Sequence, residues 1–163
     1  MTRWVALLRG VNVGGVKVEM ARLRALAAGL GWSDARTFIA SGNLLFTADG
    51  EAPALAGALE SALLREFARP IPVLVLSAGA VRAILAACPF APAQGNHVHA
   101  FFLWREPTFD ETACAALRLP TEEVALAPGV AWLHAPEGVG RSRLAEKFHK
   151  VVTGTEMTAR NLN

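Results

Sequence analysis

The chain has 163 residues and a formal net charge of +2, with 16 Lys+Arg against 14 Asp+Glu. That length suits one domain with a full core or two small modules, and so mild a charge balance speaks against nucleic acid as a partner. No apolar run approaches the ~18 residues of a membrane helix, and Trp4 to Leu8 is too short for a signal-peptide core; a cytoplasmic protein with no membrane segment is expected.

Residues 4–9 read as a first strand, apolar on both alternating sets and so suited to a sheet covered on both faces. A glycine-rich turn follows, Arg9-Gly10-Val11-Asn12-Val13-Gly14-Gly15-Val16-Lys17. An amphipathic helix with Met20, Leu23, Leu26 and Leu30 then runs to a stop at Gly29 or Gly31. Residues 36–40 and 44–47 form a hairpin through Ser41-Gly42-Asn43. Leu55, Leu59, Leu63 and Phe67 recur every four residues on a second helix that Pro70 ends. A strand over 71–76 and a third helix over 78–88, capped by Ser77, complete the first half.

Cys88-Pro-Phe-Ala-Pro-Ala-Gln-Gly-Asn96 is punctuated and aperiodic, which places a linker over 89–96 between a first unit, 1–88, and a second, 97–163. The element order then recurs. A strand over 97–104 precedes a helix over 110–117, opened by Thr108-Phe109-Asp110-Glu111 as a capping box. A hairpin of 122–127 and 130–134 crosses Pro128-Gly129, and a helix over 142–152 puts Leu144, Phe148 and Val151 on one face. The expected fold is α+β: two tandem ferredoxin-like units on the split β-α-β plan, the second lacking its closing element. No residue-level repeat relates them.

Gly10, Gly14 and Gly15 let another group approach the main chain closely, and amides opening a helix favour an anion. Arg9 and Lys17 flank them. Neither the P-loop nor the Rossmann spacing fits: Val16 separates Gly15 from Lys17, and Val18 stands where a hydroxyl would hold Mg²⁺. The alternative is a tight turn that merely needs glycines. Residues 14–18 supply no Ser, Thr, Asp or Asn cap, so the helix amides need Asn12 folded back, water or a bound anion. On the split β-α-β plan strands one and two are parallel with strand three between them. The end of strand one then meets the start of strand three, and Arg9, Asn12 and Lys17 converge with Ser41, Gly42 and Asn43.

Leu7-Leu8-Arg9-Gly10-Val11-Asn12-Val13-Gly14-Gly15, with Lys17, Met20 and Leu23, and Thr37-Phe38-Ile39-Ala40-Ser41-Gly42-Asn43 with Phe46, resemble the signature of domain-of-unknown-function family 1697. Thr158-Ala159-Arg160-Asn161 resembles its second motif. The resemblance covers nearly the whole chain and implies a duplicated ferredoxin-like fold, with no activity attached because the family is uncharacterised. Members tend to carry an aromatic after the Arg-Asn pair and to continue into a final helix; here Leu162 follows and the chain stops at Asn163, hence the expected missing element. By resemblance Arg160 and Asn161 join the candidate site; otherwise they are a polar tail fraying in solvent.

The remaining candidates read as structure. His97, His99 and His134 lack acidic or thiol groups at ligand spacing, so no metal is assigned. Trp4, Phe101, Phe102, Trp104 and Trp132 are strand aromatics of the kind that fill cores, without the Lys/Arg-Gly-Phe-type run of an RNA-binding sheet. Cys88 and Cys114 sit on apolar faces as small core filler. No catalytic motif is assignable, no cofactor is indicated, and Ser41 as a nucleophile lacks a base. The expected function is binding of an anionic, phosphate-bearing or nucleotide ligand at the glycine loop. An enzyme acting on a phosphorylated substrate is one rival. A self-associating or partner-binding scaffold that uses an apolar face left open by the absent final helix is the other.

Overall fold

A computed structural model of the chain describes residues 1–12, 16–39 and 42–163. It is a mixed α+β protein that divides into two units, Met1–Ala83 and Ile84–Asn163, each with a four-stranded antiparallel sheet. None of the described helices is long and apolar enough to cross a membrane.

In the first unit β1 (Thr2–Leu8) is central. It pairs antiparallel with β3 (Asn43–Ala48) on one side and β4 (Val73–Ser77) on the other, and β2 (Ser33–Phe38) lies outside β3. The order β2-β3-β1-β4 makes β1 and β2 parallel with β3 between them. Side-chain alternation sends Trp4, Ala6, Leu8, Leu44, Phe46, Val73 and Val75 to one face. There they meet Leu23 and Ala27 of α1 (Met20–Gly29) and Leu55, Leu59 and Leu63 of α2 (Ala52–Phe67). Each such leucine, fully buried, contributes roughly 1.5–3 kcal/mol. Trp32 stacks on Phe46 at 4.0 Å between centroids, and buried Trp4 satisfies its indole N–H on the Ala48 carbonyl at 3.1 Å. On the opposite face Leu7 is buried while Val5, Leu45, Leu74 and Leu76 are half-buried. After β4, the Ser77 hydroxyl accepts from Ala80 N at 3.1 Å and opens α3 (Ala78–Ala86).

The ends of β1 and β3 meet at Gly42. Its φ is +83°, and a Cβ there would lie 2.6 Å from Val11 Cγ2 and 3.0 Å from Leu8 Cβ. Only glycine fits on both counts.

The second unit contains β5 (Val98–Leu103), α4 (Glu111–Leu117), the hairpin β7 (Glu123–Ala127) and β8 (Val130–His134), and α5 (Arg143–Glu146). Here β6 (Thr108–Phe109) and β9 (Val152–Thr153) pair as a separate ribbon. The main sheet, closed by β10 (Met157–Asn161), has the order β10-β5-β8-β7.

Three expectations are corrected. The second sheet does have its fourth strand: β10 (Met157–Asn161) pairs with β5 from Met157↔Leu103 to Asn161↔His99. Alternation along this short segment buries Thr158 and packs Met157 against the core, which a reading of the tail as polar overlooks. The helix expected over 142–152 stops at Lys147, whose φ of −109° and ψ of 25° leave the helical region. A 3₁₀ turn, Phe148–Lys150, then leads into β9, because the β-branched run Val151-Val152-Thr153 suits a strand. Leu144, Phe148 and Val151 nonetheless all reach the core. Thr108 belongs to the ribbon rather than a capping box, and Asp110 is the cap, its carboxylate accepting from Ala113 N at 2.9 Å.

Two measurements check this packing. Gly42→Ala adds a left-handed backbone penalty and an overpacked contact, so it should cost on the order of 2–4 kcal/mol in chemical denaturation. His99 has a buried Nδ1 without a hydrogen-bond partner among the described residues, and burial holds its imidazole below the ordinary value. The unfolded chain therefore takes up a proton first as pH falls, and stability declines from the unfolded value near ~6.5 down to the lower native one. Thermal unfolding across that range should show a shallower decline for His99→Leu than for the wild type.

Candidate functional site

At the end of β1 the main chain is tied to both neighbouring strands. Leu8 N donates to Gly42 O at 2.9 Å and Arg9 N to Pro72 O at 3.0 Å. Gly10 follows with φ +70° and nothing within 4 Å of where a Cβ would stand. Val11 and Val16 then form a parallel bridge, which closes the loop on itself. Asn12, at φ 58°, holds the closure. Its N–H donates to Val16 O at 2.8 Å, its side-chain Oδ1 accepts from Val18 N at 2.9 Å, and its Nδ2 donates to Val18 O at 2.9 Å.

Val16 to Val18, the described part of the segment that the sequence suggests as an uncapped helix start, are therefore not helical. The amide of Val18 is occupied by Asn12, and α1 begins two residues later, at Met20. The N-cap, Glu19, makes no side-chain capping bond, and the first turn carries no acidic residue. Gly14, Gly15 and Ser41 lie outside the described residues. Gly42 is buried against Leu8 and Val11, and Asn43 Nδ2 donates to Phe38 O at 3.3 Å.

Arg9 and Lys17 are exposed and form no ion pair among the described residues. The cations of α1 are engaged: Arg22 pairs with Glu66 and lies 4.6 Å over the Phe67 ring, and Arg24 donates to Thr37 Oγ1 at 2.6 Å. At the end of β2, Phe38 and Ile39 are 59% and 73% exposed. Register brings Leu7, Asn43 and Phe38 side by side across the sheet.

Arg160 and Asn161 belong to β10 of the second unit. Arg160 Nη1 donates to Thr158 Oγ1 at 2.7 Å and to Ala159 O at 2.8 Å. Burial lowers its pKa to about 10, which still leaves it charged at neutral pH. The tail does not hang free. Leu162 N donates to Gly95 O at 3.1 Å, and a Cβ on Gly95 would lie 2.6 Å from Asn163 Oδ1.

The other candidates disperse. His99 pairs with Leu133 and Val98 with His134, so His99 and His134 stand on opposite faces of the sheet. No group of three His, Cys, Asp or Glu among the described residues is placed to hold a metal. Trp4, Phe102 and Trp132 are core residues. Burial pushes the Cys114 thiol up, an effect that Arg118 opposes.

The sequence reading missed one feature of the second unit. A cavity of about 390 Å³ follows the segment from Val139 to Glu146, with Arg141 and Arg143 on its wall. The run Gly138-Val139-Gly140-Arg141-Ser142-Arg143 carries the signal, a glycine pair beside two arginines. Treating residue 142 as the start of a long helix hid it.

Comparison with known proteins follows the same lines. The solved structure of a conserved bacterial protein, SP0830 from Streptococcus pneumoniae, is similar, with 26% sequence identity and a TM-score of 0.74 over 99% of this chain and 92% of that one. A search of curated proteins finds no match. The model of the family described as "Protein of unknown function (DUF1697)" matches residues 1–132, a span that includes the glycine loop and the β2–β3 hairpin but ends before Arg160. With most of its length matched by that model, the chain belongs to the DUF1697 family.

Proposed function

We propose that the protein binds an anionic small ligand, phosphate-bearing or a nucleotide, at the end of the first sheet. In this reading Arg9 and Lys17 supply the charge, and Gly10, Gly14 and Gly15 leave room for close approach to the main chain. Ser41, Gly42 and Asn43 border the ligand, Asn12 holds the loop in shape, and Arg160 and Asn161 remain candidates by family resemblance only. Each unit is read as a ferredoxin-like module. The recurrent order β-α-β-β and the strand orders β2-β3-β1-β4 and β10-β5-β8-β7 support that reading.

One observation carries the ligand reading. Two exposed cations, without ion partners among the described residues, flank a loop that leads into a helix whose first turn has neither a side-chain cap nor an acid. Such a helix start favours negative charge, and guanidinium or ammonium contacts to phosphate are among the stronger hydrogen bonds. Glu19 is the opposing group. Its exposed carboxylate sits at the N-cap and competes with any anion there.

Titration with pyrophosphate and AMP, followed by amide chemical shifts of residues 9–20, tests the proposal. Arg9→Ala and Lys17→Ala should each weaken binding by roughly 10- to 100-fold, the equivalent of about 1.5–3 kcal/mol per direct charged contact. Glu19→Gln should tighten it by about 2- to 5-fold. If both cation variants leave these shifts unchanged and lower only the melting temperature, the loop is architectural.

A further inference from the structure

We propose that the cavity around Arg141 and Arg143 binds a phosphorylated, hydroxyl-bearing small molecule, with the two guanidiniums on the phosphate and the Glu146 carboxylate on a hydroxyl. The site is separate from the glycine loop and does not depend on the reading given for it.

The first support is charge. Residues 141–150 hold Arg141, Arg143, Lys147 and Lys150 against Glu146 alone, so this stretch is more positive than the whole chain at +2. Elsewhere in residues 91–163 there are three Lys+Arg against seven Asp+Glu. Arg141, Arg143, His149 and Lys150 are exposed, and no ion pair among the described residues engages any cation of the stretch. A concave spot with several unpaired cations among the described residues raises the local concentration of an anion of matching size.

The second support is a shaped and anchored wall. The volume of about 390 Å³ falls within the range of small-molecule sites. Ser142 is buried, and its hydroxyl accepts from Ala145 N at 3.0 Å. Glu146 N donates to Ser142 O at 3.1 Å, and Leu144, between the two arginines and the cavity's far end, is fully buried in the second core. The backbone that presents both arginines is thereby fixed, while their planar forks stay free for the bidentate contacts that phosphate takes. The proposal stands on these side chains. The α5 helix has only four residues, and its cap is already supplied by Ser142.

Glu146 decides the class of ligand. It lines the same cavity, and an ionised carboxylate repels a bare anion but accepts hydrogen bonds from hydroxyls. A phosphate ester of a polyol or ribose satisfies both kinds of wall.

Calorimetry on the full chain with ribose 5-phosphate, inorganic phosphate and ribose as probes provides the test. Ribose 5-phosphate should bind at least about 10-fold more tightly than inorganic phosphate. Arg141→Ala and Arg143→Ala should each weaken it by about 10-fold or more, with charge reversal in Arg143→Glu abolishing it. Glu146→Gln should remove the advantage of the ester while leaving phosphate equally or better bound. In an Arg9→Ala/Lys17→Ala background, where the glycine loop contributes no anion binding, the same ordering of affinities should persist, which separates this site from the glycine loop. The proposal is overturned if ribose 5-phosphate binds no better than phosphate. It is also overturned if the Arg141 and Arg143 variants, folded by circular dichroism and with wild-type melting, retain full affinity, or if Arg9→Ala alone removes binding.

Discussion

The approach of one backbone to another at Gly42 decides how the first unit is assembled where β1 ends and β3 begins. Without a side chain there, β3 begins directly against Leu8 and Val11, and Leu8 N reaches Gly42 O. That contact ties the end of β1 to the turn that precedes β3. The glycine loop and the β2–β3 turn, separated by roughly 25 residues of chain, thus leave the sheet at the same end. Any side chain at residue 42 would push the two apart or force buried Val11 and Leu8 to move, in a core that packs to crystal-like density.

Backbone polar groups at that end are satisfied from within wherever a partner is available. Asn12 takes both the N–H and the carbonyl of Val18 and fixes the loop closed, so it serves the chain itself. What the fold does not absorb is charge. Arg22 and Arg24 find Glu66, Phe67 and Thr37, whereas Arg9 and Lys17 remain in solvent beside a helix start with no acidic first turn. Among the described residues Arg22 has a carboxylate partner and Arg24 a hydroxyl, whereas Arg9 and Lys17 have no ion partner, and that contrast gives the anion reading its physical content.

The second unit follows the same strand order with different chemistry at its edges. Its fourth strand comes from the C-terminal segment, which pairs along β5. Its concentrated positive charge lies in the turn before α5, held by a buried serine and a buried leucine, and not in any glycine-rich turn after the first strand of the unit. Two units with one strand order therefore present their arginines in unrelated places. This is expected when the sheet is set by apolar alternation and the surface loops are free to differ.

Strong local periodicity made much of this protein legible from its residues. The four-residue spacing of Leu55, Leu59 and Leu63, the Pro128-Gly129 hairpin and the Ser77 cap each express interactions within a few positions of one another, and each appears where the sequence puts it. The recurrence of element order also implied that β3 runs between β1 and β2. Tertiary structure alone decided the rest, because the deciding partners are remote. Residues 148–153 leave the helix since β6 offers them a strand to pair with, and the tail becomes β10 because β5, far earlier in the chain, has an open edge. Asn12 is a clamp because Val18 folds back to meet it. Arg141 and Arg143 share a cavity wall only once Ser142 between them and Leu144 after them are buried. A hydrogen bond or a burial that depends on a distant partner leaves no periodic trace in the chain, and so it could not be read there.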